Sequence, residues 1–329
     1  MAAELEFPAA SDTGEDRAGQ FVAAWLATKR SPHTRAAYLR DLAQWAAWLG
    51  GHGVALLEAD ETAAAMWARH LEAAGVKDST GARKLTAVSS FYAWCARRGE
   101  VRANPVAGLA RPAVDYDTSA TPGLTRDQAA ALLAAADADP GRQAARTAAL
   151  VAALLFTGAR VSELLGADIE DLGTDRGHRV LRVRRKGGKF QSLALPAPAA
   201  ERIEAYLAGR DDVTALPAIL GAAPTAARRR VLFATGTGAR MYRAEVRALL
   251  RRLGRAADLP DELAGSLSPH SMRHAFATLN LDAGASLRDL QDAMGHASPR
   301  TTRRYDRSRG NLDRSPGYLL AGYISRGAA

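Results

Sequence analysis

The stretch Ser268-Pro-His-Ser-Met-Arg-His-Ala-Phe-Ala-Thr278 decides how the chain folds around its chemistry. Ser268-Pro269 is a helix start: the serine hydroxyl accepts from a free backbone N–H, and proline loses no hydrogen bond at the first helical position. The spacing predicts a helix over about 269–283 with Met272, Phe276 and Leu279 on its buried face. His270 and Arg273 stand three apart and share a second face. Downstream, Ser286 begins a short helix that Gly295 ends, and Ser298-Pro299 begins another that carries Tyr305. Past Gly310 the sequence reaches an apolar group, Tyr318, Leu319, Leu320 and Tyr323.

Upstream, helical periodicity covers about 125–137, 143–156, 160–166, 198–209 and 241–256. Between them, Leu181 and Val183 alternate with arginines, and Leu193 and Leu195 alternate on the return. Gly187-Gly188 sits between, and two glycines that both take φ > 0 predict a two-residue hairpin flanked by Lys186 and Lys189. Before residue 112 only helical signals occur. Tyr38, Leu42, Trp45 and Leu49 form one face between the start Ser31-Pro32 and the stop Gly50-Gly51. Leu85, Val88, Tyr92 and Cys95 form another, and a weaker helix lies around 63–74. The segment 104–122 holds three prolines and no helical period. The expected organisation is a disordered acidic tail at 1–17, a helical domain at 18–112, a linker at 113–122, and a mixed domain with a C-terminal tail at 123–329.

Composition narrows the function. The chain has 329 residues and a net charge of +9. Residues 1–120 hold 13 basic and 14 acidic side chains, whereas 121–329 hold 31 and 21. Within 18–112 the balance is 12 to 7. An excess of cations on both globular parts points to a polyanion. A single cysteine, Cys95, excludes an internal disulfide, and the histidines lack zinc spacing. No run approaches the ~18 apolar residues of a membrane helix. The start has no apolar signal region, so a cytoplasmic location is expected.

Four places carry chemistry: Thr157-Gly-Ala-Arg160, the lysine hairpin, His270 with Arg273, and Gly295-His296 followed by Tyr305. Arginine forks match the non-bridging oxygens of a phosphodiester and hold the charge that grows in a pentacovalent transition state. Histidine moves protons near neutral pH. Lysine can protonate a leaving oxygen. Tyrosine, with an ordinary pKa near 10, becomes a nucleophile beside cations that favour the phenolate. Together these residues suit phosphodiester transfer without a metal or other cofactor.

The motifs TGAR-VSELLG (157–166), VRRKGGK (183–189), SPHSMRHAFAT (268–278), MGHAS (294–298) and TTRRYDRS (301–308) resemble, in that order, those of the tyrosine recombinase (phage integrase) family, and the two-domain form looks like the Xer recombinases. The nine-residue step from His296 to Tyr305 and the 23-residue step from Arg273 to His296 match as well. The resemblance covers about 20–310. It implies a mostly α fold: a helical, SAM-like core-binding domain plus an α+β catalytic domain with a small β-hairpin or sheet. It implies that Arg160 and Arg273 clamp the scissile phosphate, that Tyr305 is the nucleophile, and that His270 and His296 stabilise the transition state. Lys186 is the implied general acid, with Lys189 as the alternative. Glu163 falls where the family often has an acid that orients the first arginine. The implied partner is a double-stranded DNA recombination site, bound as a homo-tetramer or with a second recombinase. The two domains would close on the duplex as a clamp. Arg83 and Lys84 on one helix, and Arg243 and Arg247 with Arg251 on another, are candidate groove-facing cations.

Two other readings stay open on the sequence. A type IB topoisomerase uses similar chemistry and is distinguished by relaxing plasmids without a specific site. A non-catalytic DNA-binding relative would be distinguished by a broken set of the six residues. Extra length around 210–235 departs from the minimal family form. The ending resembles recombinases carried on mobile elements. A helical domain that begins near residue 18 argues against an added arm-binding domain.

Overall fold

A computed structural model describes residues 13–111, 123–185, 187–211 and 230–295, with positions 302, 305, 317, 320 and 324. The chain divides into two compact units, Met1–Asp115 and Tyr116–Ala329.

The first unit is helical: α1 (Thr13–Ala27), α2 (Pro32–Gly50), α3 (Glu61–Ala73) and α4 (Asp78–Ala96). The Ser31 hydroxyl accepts from Thr34 N at 3.4 Å and starts α2. Helix α4 packs against each of the other three. The core is ring-rich, with Trp25, Trp45, Trp67, Phe91 and Tyr92 fully buried beside Leu42, Leu49 and Leu85. Trp45 Nε1 donates to Tyr92 Oη at 2.9 Å, and Tyr92 Oη donates to Leu56 O at 2.5 Å, so these two buried polar tips are satisfied, whereas Trp25 Nε1 is buried without a partner among the described residues. The structure corrects the expected tail: α1 begins at Thr13, because a nucleated helix gains a backbone bond with each residue added, whatever its charge. Arg17 lies in this added turn and pairs with Glu100 at 2.6 Å. Residues 1–12 and the linker 113–122 lie outside the described residues.

The second unit runs α5 (Arg126–Asp137), α6 (Ala144–Thr157), α7 (Val161–Gly166), β1 (Leu172–Asp175), β2 (His178–Arg184), β3 (Phe190–Ala194), α8 (Ala197–Ala208), α9 (Arg243–Ala256), α10 (Asp261–Ser266), α11 (Pro269–Asp282) and α12 (Leu287–Met294). Helix α6 is apolar on every side and buried from Thr147 to Leu155, and it packs against α5, α8 and α11. The three strands form an antiparallel sheet in the order β1-β2-β3. A tight turn at Arg176-Gly177, both at positive φ, joins β1 to β2. The sequence reading missed β1, because an arginine in the left-handed region is a poor turn signal.

The lysine hairpin departs from its expected form. Arg184 pairs with Phe190, and Arg185 N donates to Lys189 O at 2.7 Å. Gly188 N donates to Arg185 O at 3.0 Å. Lys189 therefore pairs with Arg185, which leaves three residues between them rather than two. Gly187 and Gly188 both hold positive φ, as expected, but as parts of a longer turn.

Helix α11 also differs in its face. Met272 is fully buried, whereas Phe276 and Leu279 are only partly so, and the most enclosed residues include Ser271, Arg273, His274 and Ala275. The helix touches α6, α9 and α12 and so has little free surface.

Candidate active site

The turn after α6 builds the first wall. Gly158 takes φ +58°, and a Cβ there would stand 2.2 Å from the Phe276 ring, so glycine serves both the turn and the close approach of α11. Gly158 O then accepts from Arg273 Nη1. Two residues on, Arg160 is the N-cap of α7. The Glu163 carboxylate accepts from Arg160 N at 2.8 Å through Oε2 and from Arg160 Nη1 at 2.8 Å through Oε1. One buried acid thus fixes both the start of the helix and the aim of its arginine.

Helix α12 supplies the opposite wall. Its last carbonyls lack the usual intrahelical donors; Gly295 N reaches back to Asp292 O at 3.0 Å, and side chains from elsewhere supply further bonds. Asp292 O accepts from Gln191 Nε2 at 3.0 Å, and Ala293 O from Arg185 Nη2 at 2.7 Å. Met294 O accepts from Arg185 Nη1 and Arg273 Nη2, both at 2.7 Å. Two guanidinium groups therefore sit at the negative end of the helix dipole. Gly295 closes α12 in the left-handed region.

Tyr305 is buried in a small cluster with Ala277, Leu281, Leu290 and Met294. Its N donates to Thr302 O at 3.0 Å, and its ring stands edge-to-face with His274, centroids 5.0 Å apart. Arg273 senses the whole group. Burial, chiefly, pushes its pKa down to about 10, and the Arg160 charge adds to that. Tyr305 and Glu163 oppose the shift, and Arg185 reinforces it. Arg273 is thus within electrostatic reach of Arg160, Tyr305, Glu163 and Arg185.

The other expected residues fare differently. His270 lies in the first turn of α11 and is exposed. Lys189 is exposed beside the hairpin tip. Lys186 and His296 lie outside the described residues. Arg243 and Arg247 are exposed one turn apart on α9, and Lys84 is half-buried on α4. Arg83, about half exposed on α4, forms an ion pair with the buried Asp41 of α2, inside its own unit. The sequence reading missed Arg185. Leu181 and Val183 point inward on β2, and position 185 continues that period, so an arginine at an inward position was the available signal.

Known proteins are similar to this chain along most of its length. Residues 123–311 match the phage integrase family, and residues 20–99 match its N-terminal SAM-like domain. The tyrosine recombinase XerC of Mycobacterium bovis (strain BCG / Pasteur 1173P2) is 36% identical over 280 residues, covering 84% of this chain and 88% of the relative. That of Pelobacter propionicus is 36% identical over 287 residues, covering 85% and 87%. Among solved structures, the Tn1549 transposon integrase in complex with circular intermediate DNA aligns over 90% of this chain and 98% of its own, with a TM-score of 0.66 at 22% identity, and shares the fold. No helix among the described residues is long and apolar enough to cross a membrane. With both of its domains matched in order, the chain belongs to the phage integrase family and is a DNA-recombining enzyme of the tyrosine recombinase kind.

Proposed function

We propose that the enzyme cuts and rejoins DNA through a covalent tyrosine intermediate. The Tyr305 oxygen attacks the scissile phosphorus, and the bond to the 5′-oxygen breaks. Tyr305 loses its proton to His270, and the departing 5′-oxygen takes one from Lys186 or, failing that, Lys189. The product is a 3′-phosphotyrosine and a free 5′-hydroxyl. The phosphotyrosine keeps the bond energy, so a second 5′-hydroxyl can attack it and restore a phosphodiester without ATP. Two such rounds, through a Holliday junction, exchange both pairs of strands. Arg160 and Arg273 bind the non-bridging oxygens, where charge grows. His296 adds a hydrogen bond to the same oxygens. The roles of Lys186 and His296 rest on the family motifs.

The observation that carries this reading is that Arg160 is held by Glu163, Arg273 by the end of α12, and Tyr305 packs beside Met294 within electrostatic reach of Arg273. The substrate is a double-stranded recombination site in the cytoplasm, bound as a tetramer of this chain or with a second recombinase. The circular intermediate DNA held by the Tn1549 integrase, and the exposed Arg243 and Arg247 of this chain, support that partner. Leu320 and Ile324 are exposed and four apart, which favours a C-terminal segment that packs on a neighbouring subunit. Deleting residues 316–329 should then abolish cooperative assembly on DNA.

The test uses nicked suicide duplexes tiled across the DNA that flanks the coding sequence, without metal or ATP. The expected result is a denaturation-resistant adduct that mass spectrometry maps to Tyr305, and none with Tyr305→Phe. An adduct that survives Tyr305→Phe would overturn the reading.

A further inference from the structure

Arg185 is a buried arginine with no place in the steps above. A buried charge costs several kcal/mol unless it is paired and fully hydrogen-bonded. Arg185 is held through its two terminal nitrogens, while its Nε is buried without a partner among the described residues. Nη1 donates to Met294 O at 2.7 Å and stands 3.4 Å from Glu163 Oε2, and Nη2 donates to Ala293 O at 2.7 Å. The backbone leaves room for it: a Cβ on Gly295 would lie 2.9 Å from the guanidinium carbon.

The two acceptors it shares are the ones that matter. Glu163 is the carboxylate that holds Arg160, and Met294 O is the carbonyl that holds Arg273. We infer that Arg185 is a positioning residue for the phosphate clamp, cross-linking the acceptors of Arg160 and Arg273 and so setting the spacing of the two guanidinium groups. The inference rests on reading those arginines as the clamp. A planar fork can grip two acceptors in fixed directions, which a lysine ammonium cannot. The competing role, docking of the hairpin onto α12, has its own marker. Gln191 also pins the hairpin there, through Asp292 O at 3.0 Å, and has no bond to Glu163 or Met294.

The experiment compares one suicide duplex from the adduct assay in two forms: an ordinary scissile phosphodiester, and a methylphosphonate in which a neutral methyl replaces a charged oxygen. The neutral centre develops less charge and needs the clamp less. Arg185→Met should slow covalent cleavage of the phosphodiester about 10- to 100-fold. Its affinity for the duplex should stay unchanged, and the loss should shrink to a few-fold on the methylphosphonate. Arg160→Ala should show the same relief. Arg185→Lys, which keeps the buried charge, should show a smaller loss with the same substrate dependence, and it carries the test if Arg185→Met does not fold. Gln191→Ala should match the parent on both substrates.

Equal loss on the two substrates, no loss, or a matching loss in Gln191→Ala would overturn the inference. Relief for Arg160→Ala without relief for the Arg185 variants sinks this inference alone. Equal losses for Arg160→Ala on both substrates would sink the clamp itself.

Discussion

The two units solve the burial problem in opposite ways. The first fills its centre with five large rings, and among its described residues Asp41 is the only charged side chain that is buried. The second fills its centre with alanine and leucine, then places Glu163, Arg185, Arg273 and His274 in enclosed positions at one end. Ring burial stabilises a fold without asking for any particular chemistry. Buried guanidinium groups do the reverse: each carries a desolvation cost, and each is retained where charge must be held in a fixed place. The difference separates a unit organised for stability from one organised around a reaction.

The comparison breaks most visibly if the rings prove dispensable. Trp45→Ala should cost the first unit about 3–5 kcal/mol, because it empties a ring-sized site and leaves the Tyr92 hydroxyl without its donor. Denaturant melting followed by near-ultraviolet signals reads this directly, and a cost below about 1 kcal/mol would show that the ring core is not what holds the unit. In the second unit the arginines should behave in the opposite sense. Arg160→Ala should lower covalent cleavage about 10²- to 10³-fold, equivalent to about 3–4 kcal/mol in the transition state, with melting changed by less than about 1 kcal/mol. Arg273→Met should lose as much activity and keep or raise stability, since an apolar chain of similar length replaces a buried charge. If either arginine variant melted as Trp45→Ala does, the contrast between the units would collapse.

The sequence made the periodic parts of the fold legible. Ser31-Pro32, Ser268-Pro269 and Ser286 marked helix starts that the structure keeps, because a cap is a local device written in two or three residues. Leu85, Val88, Tyr92 and Cys95 were readable as an inner face for the same reason. Strand β1 and helix α10 were not read, being four and six residues long and stabilised by what packs on them. The candidate site was legible as a list of residue types, while its physical coupling was not. Met294 O joins Arg273 to Arg185, which lies 109 positions before it in the chain, and tertiary packing of that kind is encoded by no local pattern. The hairpin loop length was misread by one residue, since two glycines suit a two- or a three-residue turn and only the strand register decides.

Buried carboxylates sharpen the comparison at its smallest scale. Asp139, between α5 and α6, receives Arg252 Nη1 and Nη2 at 2.8 Å each and Gly141 N at 3.2 Å. These bonds, led by the one from Arg252, hold its pKa down to about 2. A carboxylate depressed in the folded state stabilises above its ordinary value near 3.8, and that stabilisation is lost as pH falls towards 2. Asp41, in the first unit, shifts the other way: burial raises its pKa, and the Arg83 charge and hydrogen bond only partly offset the rise. Its contribution is present at low pH and fades as pH rises through its folded value. Acid should therefore weaken the second unit while sparing the first at this site. Asp139→Asn should cost about 2 kcal/mol at pH 7 and remove that share of the acid sensitivity, whereas Asp41→Asn should leave the first unit unchanged or more stable at pH 7. Melting curves of both variants at pH 7 and pH 3 measure the two slopes. Slopes of the same sign would mean that these two acids are not held by the opposite forces their surroundings supply.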